Sequence, residues 1–323
     1  MKRVLASILA LCLSIGMSSL VYATECLDSS NPTLPKVEIN CASSNPCDAG
    51  AYGKFSYDVK TGSVKYTSAS QYKSPTTAES SSIEDFSNDF VSSRANVNDI
   101  FKISNPHTNS YRRICVIQFK TKSGKNAFGT GFVVGPNAIA TAGHVLYNDF
   151  DLDGTNEWAQ DVTVYPGVSF PTEPYKNLFG KAANLHIGGE WASNKNVNDD
   201  WGLIEVDEPI GDETGTVTLD SNDNAFGMRN RSVRIAGYPV ERMLYPEGVA
   251  SVMYGAYGKI TFAYTRSLPW YNVNIKAYGG MSGSPCYDTD TGKVIGILTM
   301  GDNTMTKFMQ INTWLYNAFN EYR

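Results

Sequence analysis

Nine short segments of the chain are rich in Val, Ile, Tyr and Thr, and Gly, Pro, Asn or Asp lies between most of them. β-Branched and aromatic residues favour strands, whereas the residues between them favour turns. Many short strands separated by turns indicate a β-barrel or sandwich rather than a parallel α/β sheet. In chain order, the segments are RRICVIQF, GTGFVVG, AIATAGHV, DVTVYPG, DWGLIEV, SVRIAGY, GKITFAY, YNVNIKA and KVIGILTM.

The C-terminal segment NTWLYNAFNEY has a different pattern. Trp314, Leu315, Ala318 and Phe319 share one helical face behind an Asn-Thr cap. The sequence therefore predicts a short C-terminal helix.

The beginning of the chain has the pattern of a targeting signal. Lys2 and Arg3 precede an apolar run from Val4 to Ile15, and small residues end at Ala23. Residues 1–23 are therefore predicted to be a signal peptide. An uncleaved membrane anchor is the alternative, because the segment is close to spanning length.

Residues 24–94 are predicted to be a loosely structured leader. Much of this segment is rich in Ser and Thr and has no sustained helical or strand period. The break between SSR and ANVNDIF suggests proteolytic maturation after Arg94, with residues 95–323 as the folded domain. The alternative is a disordered extension that is never removed.

Composition excludes some partners and limits the role of disulfides. The 323 residues carry 27 basic and 32 acidic side chains, and no basic run is present, so neither nucleic acid nor an anionic membrane is an expected partner. Six cysteines occur, but Cys12 lies in the predicted signal and three more precede residue 50. The main fold is therefore not a disulfide scaffold, and whether Cys115 pairs with Cys286 stays open.

The stretch YGGMSGSPCYD, residues 278–288, contains two serines boxed by small residues. Such clusters are ordinary turn chemistry, so a tight turn is the simplest interpretation. A serine nucleophile needs a general base, which is usually His. The chain has three histidines and all precede Ser282, which excludes the order in which His follows the nucleophile.

His144 is the best candidate for the base. It lies at the end of a predicted strand, after two small residues that let an imidazole face a cleft. His107 is expected to be an exposed loop residue, and His186, among alternating apolar neighbours, a structural one. Asp200 directly precedes an apolar strand, where a buried carboxylate can reach a His ring nitrogen; the adjacent Asp199 competes, and alternation turns the two to opposite faces.

The motifs TAGH, DWGLI and GMSGSP occur in this order, with GTGFVVG, EPIG, AGYP and VIGI around them. Together they resemble the chymotrypsin-fold serine proteases, and are most similar to the bacterial glutamyl endopeptidase branch. The likeness runs from about residue 97 to the C-terminus. It implies an all-β fold of two six-stranded antiparallel Greek-key β-barrels with a catalytic cleft between them.

The resemblance also implies the roles of individual residues. His144 is then the general base and acid, Asp200 orients it, and Ser282 is the nucleophile. The backbone N–H groups of Gly280 and Ser282 form the oxyanion hole. In the family, cleavage frees an N-terminal amine, which in the glutamyl branch lies near the specificity pocket; here Ala95 to Val97 would carry it.

The expected specificity pocket departs from that branch. Glutamyl endopeptidases recognise the acidic side chain with a His after the nucleophile and a hydroxyl residue five positions before it. Leu298 and Ala277 stand there in this chain, so a glutamyl preference is doubtful. With Lys276, Thr299 and Gly301 they line a pocket expected to be of medium size and low charge, in which Lys276 faces either a substrate carboxylate or solvent.

The segment DFDLDGTNEWAQ matches the opening of a calcium loop, with Asp149, Asp151 and Asp153 before Gly154. Its twelfth residue is Gln160 rather than the usual Glu, and flanking helices are not predicted. An acidic, Gly-containing turn is the alternative. The predicted chemistry requires no cofactor and no metal.

We therefore expect a secreted, monomeric serine endopeptidase that acts on proteins or peptides through an acyl-enzyme. An inactive homologue that binds protein ligands in the same cleft is one alternative, but its signature would be the loss of a triad residue. A secreted esterase is the other, because the triad also supports ester hydrolysis.

Overall fold

The computed structural model describes residues 53–68, 100–169, 173–223, 225–240, 252–263, 270–301 and 305–323. The predicted signal peptide, Arg94, Ala95 to Val97 and the cysteines before residue 50 lie outside these ranges. Predictions about them stay predictions.

Strands dominate the described residues. In chain order they are β1 (Lys54–Asp58), β2 (Val64–Thr67), β3 (Phe101–Lys102), β4 (Ile114–Lys120), β5 (Asn126–Gly135), β6 (Ala138–Thr141), β7 (Tyr147–Asn148), β8 (Glu157–Trp158), β9 (Gln160–Pro166), β10 (Gly180–Gly188), β11 (Gly202–Val206), β12 (Ser232–Gly237), β13 (Tyr254–Ala263), β14 (Trp270–Val273), β15 (Pro285–Asp288), β16 (Val294–Gly301) and β17 (Thr306–Gln310).

The helices are short. They are α1 (Gly143–Leu146), α2 (Gly189–Asn194), α3 (Ile210–Thr214) and α4 (Thr313–Asn320), with single 3-10 turns at Tyr175–Asn177, Val197–Asp199 and Ala225–Met228. None of the helices in these ranges is long and apolar enough to cross a membrane.

Two closed barrels account for most of the strands. The first runs in the order β11, β6, β5, β4, β9 and β10, and closes where β10 pairs with β11. The second runs in the order β12, β15, β16, β17, β14 and β13, and closes where β12 pairs with β13. All these pairings are antiparallel. The predicted fold class of two six-stranded antiparallel barrels is confirmed.

The C-terminal helix α4 is confirmed as well. Asn312 caps it by accepting a hydrogen bond from the backbone N–H of Leu315 at 2.9 Å. Its buried face packs against the core of the first barrel, where the ring of Trp201 lies edge-on to Trp314 and Phe319. The chain therefore starts the second barrel after the first and returns to the first at its end.

Residues 53–68 form an ordered hairpin inside the leader that was predicted to be loosely structured. β1 pairs with β2, and β1 also pairs with β10 of the first barrel. The local reason is visible in the sequence, because Phe55 and Tyr57 alternate with polar residues and Gly62 adopts φ +69° in the connecting turn. The Ser-rich composition that predicts loose structure begins only after this hairpin.

Cys115 and Cys286 do not pair. Cys115 lies in β4 of the first barrel and Cys286 in β15 of the second, and both are buried free thiols. Burial raises the pKa of each thiol above its ordinary value, which keeps both sulfurs protonated and unreactive at neutral pH.

Candidate active site

His144 and Asp200 are brought together by strand pairing. His144 follows β6 in the first turn of α1, and Asp200 lies two residues before β11, which pairs with β6. One oxygen of Asp200 accepts a hydrogen bond from the backbone N–H of His144 at 2.7 Å. The other accepts from ring Nδ1 at 2.8 Å. This arrangement places the ring proton on Nδ1 and leaves Nε2 free to take a proton.

Gly143 allows this close approach. A Cβ at this position would lie 2.9 Å from the carbonyl oxygen of Trp201, 3.0 Å from Trp191 and 3.1 Å from Asp200. The ring of Trp191 meets the ring of His144 edge-on, with the centroids 6.1 Å apart. The small residues before His144 in the sequence are therefore explained by packing around the imidazole.

Asp199 has different partners from its neighbour. Its oxygens accept hydrogen bonds from the indole N–H of Trp201 at 2.8 Å and from the backbone N–H of Glu190 at 2.9 Å. Burial raises the pKa of the Asp199 carboxyl well above its ordinary value, against the opposite effect of these hydrogen bonds. Asp199 thus anchors α2, and Asp200 is the carboxylate that contacts His144.

Lys195 lies near Asp200 and Trp191, and the sequence did not predict its presence at the site. Its Nζ donates to the carbonyl oxygen of Tyr147 at 3.2 Å and lies over the rings of Tyr147 and Trp191. Burial lowers the pKa of Lys195 to about 7, although attraction to Asp200 and Asp149 acts in the opposite direction. Its backbone is left-handed at the end of α2, and no sequence motif indicates this placement.

The two serines of the small-residue loop have different environments. Ser282 is partly exposed, whereas Ser284 is completely buried. Gly280 and Gly283 adopt φ +89° and +88°, a region that glycine enters without strain. A Cβ at Gly280 would lie 2.5 Å from the carbonyl oxygen of Tyr238, so a close approach adds a second reason for glycine there.

Some backbone donors of the loop are already engaged, and others are available. Met281 N–H donates to the carbonyl of Tyr278, and Ser284 N–H donates to the carbonyl of Met281. Within the described part of the chain, the N–H groups of Gly280 and Ser282 donate no hydrogen bond. These are the two groups that the resemblance assigns to the oxyanion hole.

The first barrel holds the serine loop in place. The N–H of Thr130 donates to the carbonyl of Ser282 at 2.9 Å, and its hydroxyl donates to the carbonyl of Gly280 at 2.8 Å. A Cβ at Gly283 would overlap the carbonyl oxygen of Thr130. The loop therefore packs against β5 and β6, next to the segment that leads to His144.

No hydrogen bond joins Ser282 Oγ to the ring of His144 among the described residues. In enzymes without substrate, such catalytic bonds are often long and shorten only in the complex. The two loops that carry these residues nevertheless contact each other, because a Cβ at Gly283 would lie 3.1 Å from the backbone nitrogen of Ala142.

The other two histidines have other partners. His107 lies in a loop and bonds the carbonyl oxygen of Glu173 at 3.0 Å. His186 is buried in β10 and contacts Ser56 through Nδ1 and Glu205 through Nε2, each at 2.7 Å. Among the described residues, His144 is the one histidine bonded to a buried aspartate.

The residues predicted for the specificity pocket fall into different environments. Leu298 is buried in the core of the second barrel, and Lys276 is exposed. Thr299 is nearly buried at an irregularity in the pairing of β16 with β17. Ala277 lies directly against Gly301, so closely that a Cβ on Gly301 would overlap it. The walls near Gly301 are therefore uncharged and tightly packed.

The acidic loop between β7 and β8 is held by its own contacts. Asp149 accepts hydrogen bonds from the backbone N–H groups of Asp153 and Gly154, both at 3.0 Å. Asp151 faces away toward Ser123 and Lys125. In the described ranges, no group of three or more His, Cys, Asp or Glu side chains is arranged to hold a metal ion. Calcium binding by this loop is an untested expectation.

A model of the trypsin-like peptidase domain matches residues 129–297, which span both barrels. The chain belongs to the trypsin-like peptidase family. The prediction of a chymotrypsin-fold, trypsin-like serine protease is thereby confirmed.

Several known proteins resemble this trypsin-like peptidase. The glutamyl endopeptidase of Bacillus licheniformis is 30% identical over 164 residues, which cover 51% of this chain and 46% of that protein. A Bacillus subtilis protein named extracellular metalloprotease is 26% identical over 220 residues, which cover 67% of this chain and 65% of that protein. The chain thus spans between about half and two thirds of the length of these relatives.

A solved structure shares the fold. The structure of a Glu endopeptidase in complex with MPD superposes with a TM-score of 0.59 at 21% identity, over 70% of this chain and 96% of that chain. At this identity the likeness concerns the fold, and it agrees with the two barrels described above.

Proposed function

We propose that this trypsin-like peptidase is a secreted serine endopeptidase in which His144, Asp200 and Ser282 form the catalytic triad. The observation that carries the proposal is the double hydrogen bond of the Asp200 carboxylate to the backbone and ring of His144. The serine loop packs against the segment that leads to His144, and its partly exposed Ser282 is the proposed third residue. All three belong to the family's motifs in the family's order.

In the proposed mechanism, Ser282 Oγ attacks the carbonyl carbon of the scissile peptide bond while its proton passes to His144 Nε2. Asp200 accepts the Nδ1 proton in a hydrogen bond and stabilises the imidazolium that forms. His144 then gives the proton to the leaving amine as the C–N bond breaks. A water molecule attacks the acyl-enzyme by the same proton transfers and restores Ser282.

The negative oxygen of each tetrahedral intermediate needs donors that are already in place. The N–H groups of Gly280 and Ser282 make no other hydrogen bond in the described part of the chain. A donor of this kind is worth roughly 3 kcal/mol of transition-state stabilisation. The left-handed conformation of Gly280 and the contact of its carbonyl with Thr130 set the orientation of this loop.

Hydrolysis of a protein substrate by matched serine variants tests the proposal. Ser282→Ala is expected to lower kcat by about 10⁶-fold with the fold intact. Ser284→Ala is the control, because it removes a buried hydroxyl two residues away and should retain turnover. Equal activity in Ser282→Ala and the unaltered protein would refute the triad. Cleavage of ester substrates with no cleavage of peptides would favour an esterase.

We further propose that the pocket takes an uncharged side chain before the scissile bond. Ala277, Leu298, Thr299 and Gly301 offer no charge to a substrate carboxylate, and Lys276, the residue before Ala277, is exposed. A peptide library should therefore show no enrichment of glutamate before the cleaved bond. A strong glutamyl preference, as the name of the Bacillus licheniformis relative suggests for that protein, would contradict this part of the proposal.

The proposal includes export and maturation near Arg94. A relative from Bacillus subtilis carries the word extracellular in its name, in agreement with the signal-like start of this chain. Downstream of the cut, Ile100 packs on the core of the second barrel and β3 pairs with β13, so the new N-terminal segment would be anchored there. N-terminal sequencing of the large fragment of the exported form, separated under denaturing conditions, should begin at Ala95 to Val97.

A further inference from the structure

The hairpin of β1 and β2 covers an edge of the first barrel that no other described strand covers. One edge of β10 pairs with β11. On the other edge, β9 reaches only Gly180 and Lys181, and β1 takes over from Asn184 to Gly188. Removal of the hairpin would therefore leave a row of unpaired backbone groups on β10, which is costly and prone to aggregation.

The hairpin also contributes to the core. Phe55 is 3% exposed and belongs to the core of the first barrel, where its ring packs against Tyr66 of β2. Tyr57 stacks on Trp158 of β8, with the ring centroids 5.0 Å apart. A leader that serves only as a tether would not bury an aromatic side chain of the barrel core.

Polar contacts tie the hairpin to two further parts of the chain. Lys54 is nearly buried, and its Nζ donates to the Glu321 carboxylate at 2.9 Å and to the Tyr322 hydroxyl at 2.7 Å, beyond α4. Ser56 bonds Nδ1 of the buried His186 at 2.7 Å. Buried charged and polar groups of this kind are costly to leave unpaired.

The same hairpin contacts the segment next to the proposed triad. The N–H of Gly189, which begins α2, donates to the carbonyl of Gly53 at 2.9 Å. α2 carries Trp191, whose ring lies against the ring of His144. The hairpin therefore supports an element that packs on the proposed general base.

We propose that residues 53–68 remain bound to the first barrel after the leader is cut, so that the mature protease is a two-fragment complex. This inference rests on the proposed maturation near Arg94, which lies between the hairpin and the next described residue, Ile100. Once the chain is cut there, the strand pairing, the buried Phe55 and the Lys54 contacts are what hold the fragment. The pairing is strand addition to a sheet edge.

The test uses the full chain with Ser282→Ala, so that its own hydrolytic activity plays no part. A recognition sequence for a site-specific protease is inserted between residues 69 and 94, and the chain is cut there completely. Size-exclusion chromatography at neutral pH with mass spectrometry should find the leader fragment in the same peak as the large C-terminal fragment. Separate elution of the leader fragment, or precipitation of the large fragment after the cut, would overturn the proposal.

Hairpin variants sharpen the result. Phe55→Ala should weaken retention of the leader fragment roughly a hundredfold, because it removes a large aromatic group from the core. Lys65→Ala, at an exposed position of β2, is the matched control and should retain the fragment. If Phe55→Ala does not fold before the cut, Tyr57→Ala replaces it, and retention equal to that of Lys65→Ala would count against the proposal.

A failure of the proposed function gives a different result from a failure of this inference. Retention is measured with Ser282 replaced, and it does not depend on hydrolysis. Loss of the fragment with activity preserved in the cut, unmodified-serine chain would refute the inference alone. Retention with no activity in that chain would refute the function alone.

Discussion

At the scale of single residues, Asp199 and Asp200 are adjacent carboxylates with separate roles. Asp200 bonds His144, and Asp199 bonds the indole of Trp201 and the first turn of α2. The two side chains face different partners, as the sequence predicts, but Asp199 ends the 3-10 turn Val197–Asp199 and Asp200 follows it, so the strand alternation expected from the sequence is not the cause. Which of the two faces His144 depends on where α2 and Trp201 pack, and no local pattern contains that information.

Conservative amide variants separate the two roles. Asp200→Asn should lower kcat about 10⁴-fold with little loss of stability, because the amide favours the wrong tautomer of His144. Asp199→Asn turns an amide N–H₂ toward a donor and should lower the free energy of unfolding by about 1–3 kcal/mol. Steady-state kinetics and denaturant unfolding measure both effects. A larger loss of kcat in Asp199→Asn than in Asp200→Asn would reverse the assignment.

The serine loop illustrates what a motif can and cannot predict. The motif order and the resemblance single out Ser282 over Ser284, and the structure gives the two different exposures. The position of Lys195 beside Asp200 has no such signal, because it follows from the left-handed end of a short helix. Likewise, Leu298 matches a pocket position in the family's pattern but is buried in the barrel core.

At the scale of elements, the hairpin of β1 and β2 has a buried titratable group at its contact with β10. His186 is bonded to Ser56 and Glu205, its ring lies against that of Tyr322, and the charges of Lys54 and Glu321 act on it. Burial lowers the pKa of His186 below its ordinary value of 6.5, although Glu205 acts in the opposite direction. The bond from His186 lowers the pKa of Glu205 below its ordinary value of 4.5.

This contact should make unfolding easier in acid. Each of the two groups takes up its proton more readily in the unfolded chain, so stability falls as pH decreases, from about 6.5 for His186 and from about 4.5 for Glu205. Denaturant unfolding at pH values from about 7.5 to 5, which bracket the ordinary pKa of His186 and stay above that of Glu205, measures how the free energy of unfolding changes with pH. One histidine contributes at most about 1.4 kcal/mol per pH unit to this slope. His186→Gln should reduce that slope.

His107→Gln is the control for the loss of an imidazole, since the His107 ring bonds the carbonyl of Glu173 and meets the ring of Tyr175, neither of which belongs to the hairpin. It should leave more of the acid dependence in place than His186→Gln does. Identical slopes for His186→Gln and the unaltered chain would show that the hairpin contact does not titrate.

The barrel strands could be predicted from the sequence because β-branched runs and turn residues are local signals. The hairpin has the same local signal, because Phe55 and Tyr57 alternate with polar residues, so its strands are predictable from residues 53–68 alone. Its partner strand β10, more than a hundred residues later, could not be predicted, because strand pairing depends on which edge the closed barrel leaves open.

At the scale of the whole molecule, Thr130 joins the two barrels at the proposed site. Its hydroxyl donates to the carbonyl of Gly280 and accepts from the N–H of Tyr238, and its own N–H donates to the carbonyl of Ser282. Thr130 is in the first barrel, and the other three residues are in or beside the second. Contacts across barrels are beyond what local patterns predict, and the family resemblance supplied only the expectation that the barrels meet.

Thr130→Val tests this connection. The variant keeps the side-chain volume but leaves the carbonyl of Gly280 and the N–H of Tyr238 without their partner. The free energy of unfolding should therefore fall by about 1–3 kcal/mol for each of these groups. A misplaced serine loop should lower kcat roughly ten- to a hundredfold with a smaller change in KM. Thr163→Val, on β9 with one weak hydroxyl contact, is the control. Unchanged kcat in Thr130→Val would show that the barrel contact does not position the loop.

The central claim is that Ser282 is a nucleophile activated by His144, and covalent labelling tests it most directly. The processed chain is treated with a fluorophosphonate, and the adduct is located by peptide mass mapping. We expect one adduct per chain on Ser282, absent in Ser282→Ala, retained in Ser284→Ala and strongly slowed in His144→Ala. An unlabelled processed chain, or labelling that persists in Ser282→Ala, would contradict the account.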